Sequence, residues 1–178
     1  MAVVVVGALA MAGCQANPAP PPLESTSSSP TPSPSPTITA PTLPAEAQGT
    51  SKAAAKAFVR HYIALMNHAV ATGHVNPLLD ASDPGCSSCA AVVEQVDSIY
   101  NAGGSIESEG WQIATIRPVP GTPRARPQFD VGLLMSPQEV IEHSGADVTN
   151  YDGGKLPASF TLIRQGSEWR VLAWERAA

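Results

Sequence analysis

Gly103-Gly104-Ser105-Ile106-Glu107-Ser108-Glu109-Gly110-Trp111-Gln112-Ile113-Ala114-Thr115-Ile116 is the stretch in which the chain changes period. Before it, apolar residues recur every three or four positions, as on one face of a helix. After it, they alternate with polar residues, as on the two faces of a strand. Upstream, Phe58, Val59, Tyr62, Ile63, Leu65, Met66, Ala69 and Val70 form the apolar face of a long helix from Ser51 to about Ala71, with Arg60, His61, Asn67 and His68 on its polar face. Ser51 carries a hydroxyl suited to cap the start, and Gly73 the backbone freedom suited to end it. Asn76-Pro77 opens a short turn or helical piece, which Ser82-Asp83-Pro84-Gly85 breaks. A second amphipathic helix starts near Cys86 and carries Val92, Val93, Val96, Ile99 and Tyr100 up to Gly103-Gly104.

Downstream, Trp111, Ile113 and Thr115 are expected on one face of a strand and Gln112, Ala114 and Ile116 on the other. Phe129, Val131, Leu133 and Met135 make a second strand. Phe160, Leu162 and Arg164, a Gln165-Gly166-Ser167 turn, then Trp169, Val171 and Ala173 make a hairpin. Between Ser136 and Pro157 only Val140-Ile141 reads as a short strand, and Ser144 to Gly154 reads as an exposed loop. Helices first and antiparallel strands afterwards give an α+β domain: two main N-terminal helices packed on a curved antiparallel sheet.

The N-terminal third has another character. An apolar run, Ala2 to Gly13, ends at Cys14 and falls well short of the roughly 20 residues a spanning helix needs. Met11-Ala12-Gly13-Cys14 resembles a lipobox, in which small residues precede a cysteine that is lipidated and then becomes the new N-terminus. No Lys or Arg precedes the run, unlike an ordinary signal, which leaves an upstream start open. Gln15 to Thr50 holds ten of the eighteen prolines and no Lys, Arg or aromatic residue, so it cannot bury enough apolar surface to offset its ordering entropy. As an extended tether at about 3.1 Å per residue it reaches roughly 100 Å. An inert spacer is its plainest use, and its Thr-Pro and Ser-Pro pairs leave a glycosylated stalk open. The expected organisation is a lipoprotein signal peptide at 1–13, a lipidated Cys14 with a disordered tether at 14–50, and an α+β domain at 51–178. The expected location is the outer face of the cytoplasmic membrane.

Charge excludes some partners. The formal net charge is −5, and Arg60, Arg117, Arg124, Arg126, Arg164, Arg170 and Arg176 are scattered rather than clustered. Neither nucleic acid nor an anionic lipid surface is therefore an expected partner of the domain.

Phe58-Val59-Arg60-His61-Tyr62-Ile63-Ala64-Leu65-Met66-Asn67, Ala71-Thr72-Gly73, Asp83-Pro84-Gly85-Cys86-Ser87-Ser88-Cys89 and Gly103-Gly104 before Trp111 together resemble an uncharacterised actinobacterial lipoprotein family, domain of unknown function 6318. The resemblance runs from roughly Thr50 to Trp174. It implies a cystatin-like cone similar to nuclear transport factor 2 and no established activity, because such cones host isomerases, dehydratases and binding domains alike.

Several residues invite chemistry. Cys86 and Cys89, an even pair outside a reducing compartment, are expected as a local disulfide. A CxxC at a helix start also suits redox work, but this one follows a Pro-Gly turn rather than a core strand, and no second pair completes a zinc site. His61 and His68, seven apart, share the polar helix face about 10.5 Å from each other, too far for one ion, and are expected as solvated histidines. No metal or other cofactor is expected, and no residue is assigned as catalytic: the Gly-x-Ser-x-Gly, phosphate-loop and His-Glu-x-x-His signatures do not occur. Tyr62, Asp97, Tyr100 and Asp130 are candidate pocket donors, with Trp111 as a candidate wall. Trp111, Trp169 and Trp174 either close the sheet against its helices or line a ligand pocket. The first expectation is a non-catalytic binding domain for an envelope protein or small ligand; the alternative is a ligand carrier or enzyme using the cone's interior. A filled cone with an exposed apolar patch would favour docking, and a deep apolar pocket would favour a ligand.

Overall fold

The computed structural model describes residues 39–177. The signal, Cys14 and most of the expected tether lie outside the described residues. Among those described, no helix is long and apolar enough to cross a membrane.

Three helices precede seven strands: α1 (Lys52–Thr72), α2 (Asn76–Asp80), α3 (Ser87–Asn101), β1 (Ser105–Ser108), β2 (Trp111–Pro118), β3 (Gln128–Met135), β4 (Gln138–Ile141), β5 (Val148–Tyr151), β6 (Gly154–Gln165) and β7 (Glu168–Arg176). Both ends of α1 form as its sequence implies. The Ser51 hydroxyl accepts from the Ala54 N–H at 3.0 Å, and Gly73 takes the left-handed backbone, with φ +73°, that an L side chain resists. A Cβ there would also lie 2.5 Å from Cγ of Tyr100, so this turn is shaped for glycine twice over.

The strands form two antiparallel ladders, β2-β3-β6-β7 and β1-β4-β5. Each strand of the small ladder is joined to a strand of the large one through a two-residue break: Glu109-Gly110 between β1 and β2, Ser136-Pro137 between β3 and β4, Asp152-Gly153 between β5 and β6. The breaks lie side by side, with the Ser136 N–H donating to the Gly110 carbonyl at 3.2 Å. The expected single curved sheet is therefore folded along a line of glycine and proline, and the fold makes the cone. Helix α1 lies across its concave side, and Phe129, Val131, Leu133, Leu156, Phe160, Leu162 and Val171 bury against Phe58, Val59, Tyr62 and Met66.

Four expectations need correction. The domain begins before Ser51: Ala45–Ala47 forms a short 3-10 turn, Ala47 is 1% exposed, and the Trp169 indole donates to the Gly49 carbonyl at 2.9 Å. The loop expected from Ser144 to Gly154 contains β5 and the first residue of β6; all four β5 side chains are exposed, so no alternation marks it. β1, four residues long, also escaped the periodicity. In β2 the expected facing fails after Ala114, because the register slips between Ile113 and Thr115. The extra residue is a bulge, and it turns Ile116 inward with Trp111 and Ile113. A second slip, opposite Thr161 and Leu162, does the same in β7. It brings Trp174, rather than Ala173, to the face shared by Val171.

Candidate functional site

A mostly apolar cavity of about 380 Å³ lies where the line of strand breaks meets α1 and α3. Its wall is largely apolar: Met66 and Val70 from α1, Val92, Val96 and Ile99 from α3, and Ile106, Met135 and Val140 from the strands. Two tryptophans complete it. The Trp111 and Trp174 rings meet edge to face at 6.3 Å between centroids, and Trp174 stacks on Phe160 at 6.0 Å. The carboxylates on the wall, Glu142 and Asp152, belong to exposed residues and so mark its rim.

Each tryptophan is held through its main chain by a helix side chain. Asn67 of α1 donates from Nδ2 to the Trp111 carbonyl at 2.9 Å and accepts the Trp111 N–H on Oδ1 at 2.8 Å. Ser88 at the start of α3 accepts the Trp174 N–H on its hydroxyl at 3.2 Å. Gly110, with φ +86°, lets this clamp close: a Cβ there would stand 2.8 Å from Cγ of Asn67. The indole N–H groups are treated differently. Nε1 of Trp111 and of Trp174 are both buried, and neither finds an acceptor among the described residues.

Cys86 and Cys89 form a disulfide, and both are buried. Cys86 also caps α3, its sulfur accepting the Cys89 N–H at 3.2 Å. The segment before it lies along β7, with the Asp83 N–H donating to the Val171 carbonyl at 2.8 Å and the Val171 N–H to the Ala81 carbonyl at 3.0 Å. The disulfide thus fixes the first turn of the helix that carries Ser88 and one wall of the cavity.

Of the candidate pocket residues Tyr62, Asp97, Tyr100, Trp111 and Asp130, Trp111 alone lines the cavity, and of the other two tryptophans weighed as pocket walls Trp174 does and Trp169 does not. Tyr62 is buried at the other end, its hydroxyl 3.0 Å from Ser82 Oγ, which itself donates to the Leu78 carbonyl at 2.8 Å. Burial pushes the Tyr62 pKa up to about 12. Tyr100 donates to the Val70 carbonyl at 2.7 Å, and burial raises its pKa; it locks the end of α1 to α3. Asp97 is exposed and accepts from Asn101 at 2.8 Å. Asp130 is exposed on the outer face of β3. His68 departs from the solvated role expected of it: it is 6% exposed, beside His74 at 6.1 Å between centroids. Among the described residues no three His, Cys, Asp or Glu side chains gather as a metal site requires. Asn67 and Ser88 were not singled out as site residues, although Asn67 ends the quoted helix motif and Ser88 lies inside the CxxC.

In fold the chain is similar to the intermembrane space region of the chloroplast protein ARC6, with a TM-score of 0.54 at 10% identity over 73% of this chain and 98% of that one. It is also similar to an uncharacterised protein with a cystatin-like fold from Caulobacter vibrioides (TM-score 0.43, 11% identity, 65% and 83% covered). A third similar structure is a protein from Novosphingobium aromaticivorans, described as resembling nuclear transport factor 2 with a cystatin-like fold (TM-score 0.42, 12% identity, 67% and 78% covered). These likenesses concern fold alone. No curated protein matches the sequence. The matching family model spans residues 31–173, most of the chain, and on that match the protein belongs to a family of unknown function, DUF6318.

Proposed function

We propose that this protein is a lipid-anchored component of the cell envelope whose cone binds a small molecule between α1, α3 and the two sheets. One observation carries the binding role. A largely apolar cavity of about 380 Å³, within the range of about 300–1,000 Å³ typical of small-molecule sites, is walled in part by two tryptophans whose enclosed indole N–H groups find no acceptor among the described residues. A cone selected only for stability would fill such a space and satisfy such donors. The carboxylates on the wall belong to exposed residues, which favours holding a ligand over reacting with it. The anchor is supported by sequence alone: a small-residue run closed by Cys14 and followed by a proline-rich tether.

Native mass spectrometry of the protein drawn from its own envelope tests the binding role. The wild type is expected to carry a bound small molecule. Val96→Trp, which fills the cavity from α3, is expected to run at its bare mass. If the wild type also runs bare, and no envelope extract alters its tryptophan fluorescence, the cavity is not a binding site. The anchor has its own test: Cys14→Ala should lose fatty-acid label and leave the membrane fraction, and retention of either overturns it.

A further inference from the structure

We infer that the outer edge of β5 is a docking site for an extended, basic segment of another protein, which adds to the small ladder as a further strand. The interface is independent of the cavity. The two ladders have outer edges at β2 and β7 and at β1 and β5, and all but β5 are blunted as edges that must not pair are. In β2, Asn67 occupies both the N–H and the carbonyl of Trp111, a bulge interrupts the strand between Ile113 and Thr115, and Pro118 ends it. Residues 81–83 cover β7, bonded to both main-chain groups of Val171. β1 lies against α1 and α3, and the Tyr100 hydroxyl reaches the Ile106 carbonyl at 3.5 Å.

β5 has none of these devices. Val148-Thr149-Asn150-Tyr151 pairs with β4 without a slip, contains no proline or charge, and exposes all four side chains. Among the described residues no backbone hydrogen bond reaches it from outside its ladder. In an antiparallel pair alternate residues turn their N–H and C=O away from the partner strand, so β5 offers a row of donors and acceptors to a segment laid along it. Val, Thr and Tyr favour the extended backbone that such pairing needs. Val148 and Tyr151, each 49% exposed, give the added strand apolar surface to lie against.

Charge fixes the occupant. Glu107, Glu109, Glu139, Glu142, Asp147 and Asp152 are all exposed on the small ladder or its connections, and residues 103–110 and 136–153, which build it, contain no Lys or Arg. The first base beyond the break is Lys155 on β6. The formal charge of the whole chain is −5, so its excess of acid resides here. A segment flanked by Lys or Arg meets opposite charge at both ends of β5, where Asp147 and Asp152 stand. A second copy of this chain does not: laid antiparallel on β5 it would set its Asp152 against Asp147, and like charges directly opposite destabilise a strand pair. Main-chain pairing would supply the affinity and the carboxylates the choice of partner.

Three peptides test the inference on the full chain carrying Cys14→Ser: the basic acetyl-KTVTVTK-amide, the acidic acetyl-ETVTVTE-amide, and the basic peptide with every strand amide N-methylated, which keeps the charge and removes the donors. At low ionic strength the basic peptide is expected to bind about tenfold or more tightly than either of the others, the factor that a few net hydrogen bonds or surface ion pairs supply. It should also protect the amides of β5 from hydrogen exchange. Asp147→Lys with Asp152→Lys, both at exposed positions, should erase the preference for the basic over the acidic peptide. Equal binding of the basic peptide and its N-methylated form, protection at β2 or β7 instead of β5, or a preference that survives the charge reversal would each overturn the inference. So would binding of none of the three, or β5 protection that grows with protein concentration alone, the mark of a second copy on that edge.

Discussion

Trp169 at one end of the cone and Trp111 and Trp174 at the other are all strand residues, but among the described residues only Trp169 has an acceptor for its indole N–H, the Gly49 carbonyl at 2.9 Å. Trp169 borders a more polar hollow of about 760 Å³ beside Thr50, Ser51 and Pro127, and the core behind it is packed. Tyr62, Phe129, Phe160, Leu162 and Val171 are all buried, and the Tyr62 hydroxyl is satisfied by Ser82. Around Trp111 and Trp174 there is a cavity and two donors lack partners. The segment before α1 folds back to close the first end. At the second end the strands break and turn outward instead, which leaves the cavity proposed above as a ligand site.

The largest expected contrast lies on one strand. Phe129 and Met135 sit at opposite ends of β3, Phe129 at 1% exposure in the filled end and Met135 on the cavity wall. Phe129→Ala should destabilise by about 3–5 kcal/mol and Met135→Ala by under about 2 kcal/mol in urea denaturation, because a side chain already facing space loses fewer contacts. Equal losses would mean that the cavity end packs as tightly as the other. Next comes the disulfide, which fixes the cavity-side helix. Replacing Cys86 and Cys89 together by Ala should cost about 2 kcal/mol by loop entropy, and the same loss should follow reductant in a thermal melt. A smaller, matched contrast concerns the indoles. Trp169→Phe removes a made hydrogen bond and should cost about 1 kcal/mol, whereas Trp174→Phe removes none and should stay within about 0.5 kcal/mol. If Trp174→Phe costs more than Trp169→Phe, Trp174 has a partner.

The smallest effect is a pH dependence. Burial, and secondarily His74, hold the His68 pKa below its ordinary 6.5. The unfolded chain therefore binds a proton more readily than the fold does. Stability should be full above about pH 6.5 and should decline as the pH falls below it. His68→Gln should flatten that decline between pH 7.5 and 5.5 without abolishing it, because burial also lowers the His61 pKa.

The elements with strong periodicity were legible. The α1 face, its Ser51 cap and its Gly73 stop follow from side chains that act locally, and so do β3 and the final hairpin. What hid from the sequence hid for physical reasons. The β5 side chains are all exposed and mark no face. The β2 and β7 bulges break alternation by one residue, with no composition signal, and one of them decides that Trp174 turns inward. The site was the least legible part, because most of its wall is apolar and its titratable residues, Glu142, Tyr151 and Asp152, lie in segments with no readable period. Searching for carboxylates and hydroxyls led to Tyr62, Asp97, Tyr100 and Asp130, which serve packing or face solvent. The cavity is walled instead by apolar side chains and two tryptophans, whose backbones an asparagine and a serine hold.

The most direct measurement is the ¹H–¹⁵N spectrum of the three tryptophan side chains as 2-acetylnaphthalene is added. The Nε1 resonances of Trp111 and Trp174, whose residues line the cavity, should shift saturably, while Trp169, which does not line it and is bonded to Gly49, stays in place. Unmoved Trp111 and Trp174 resonances at saturating probe, or a shift at Trp169 as large as theirs, would contradict a cone closed at one end and built at the other to bind.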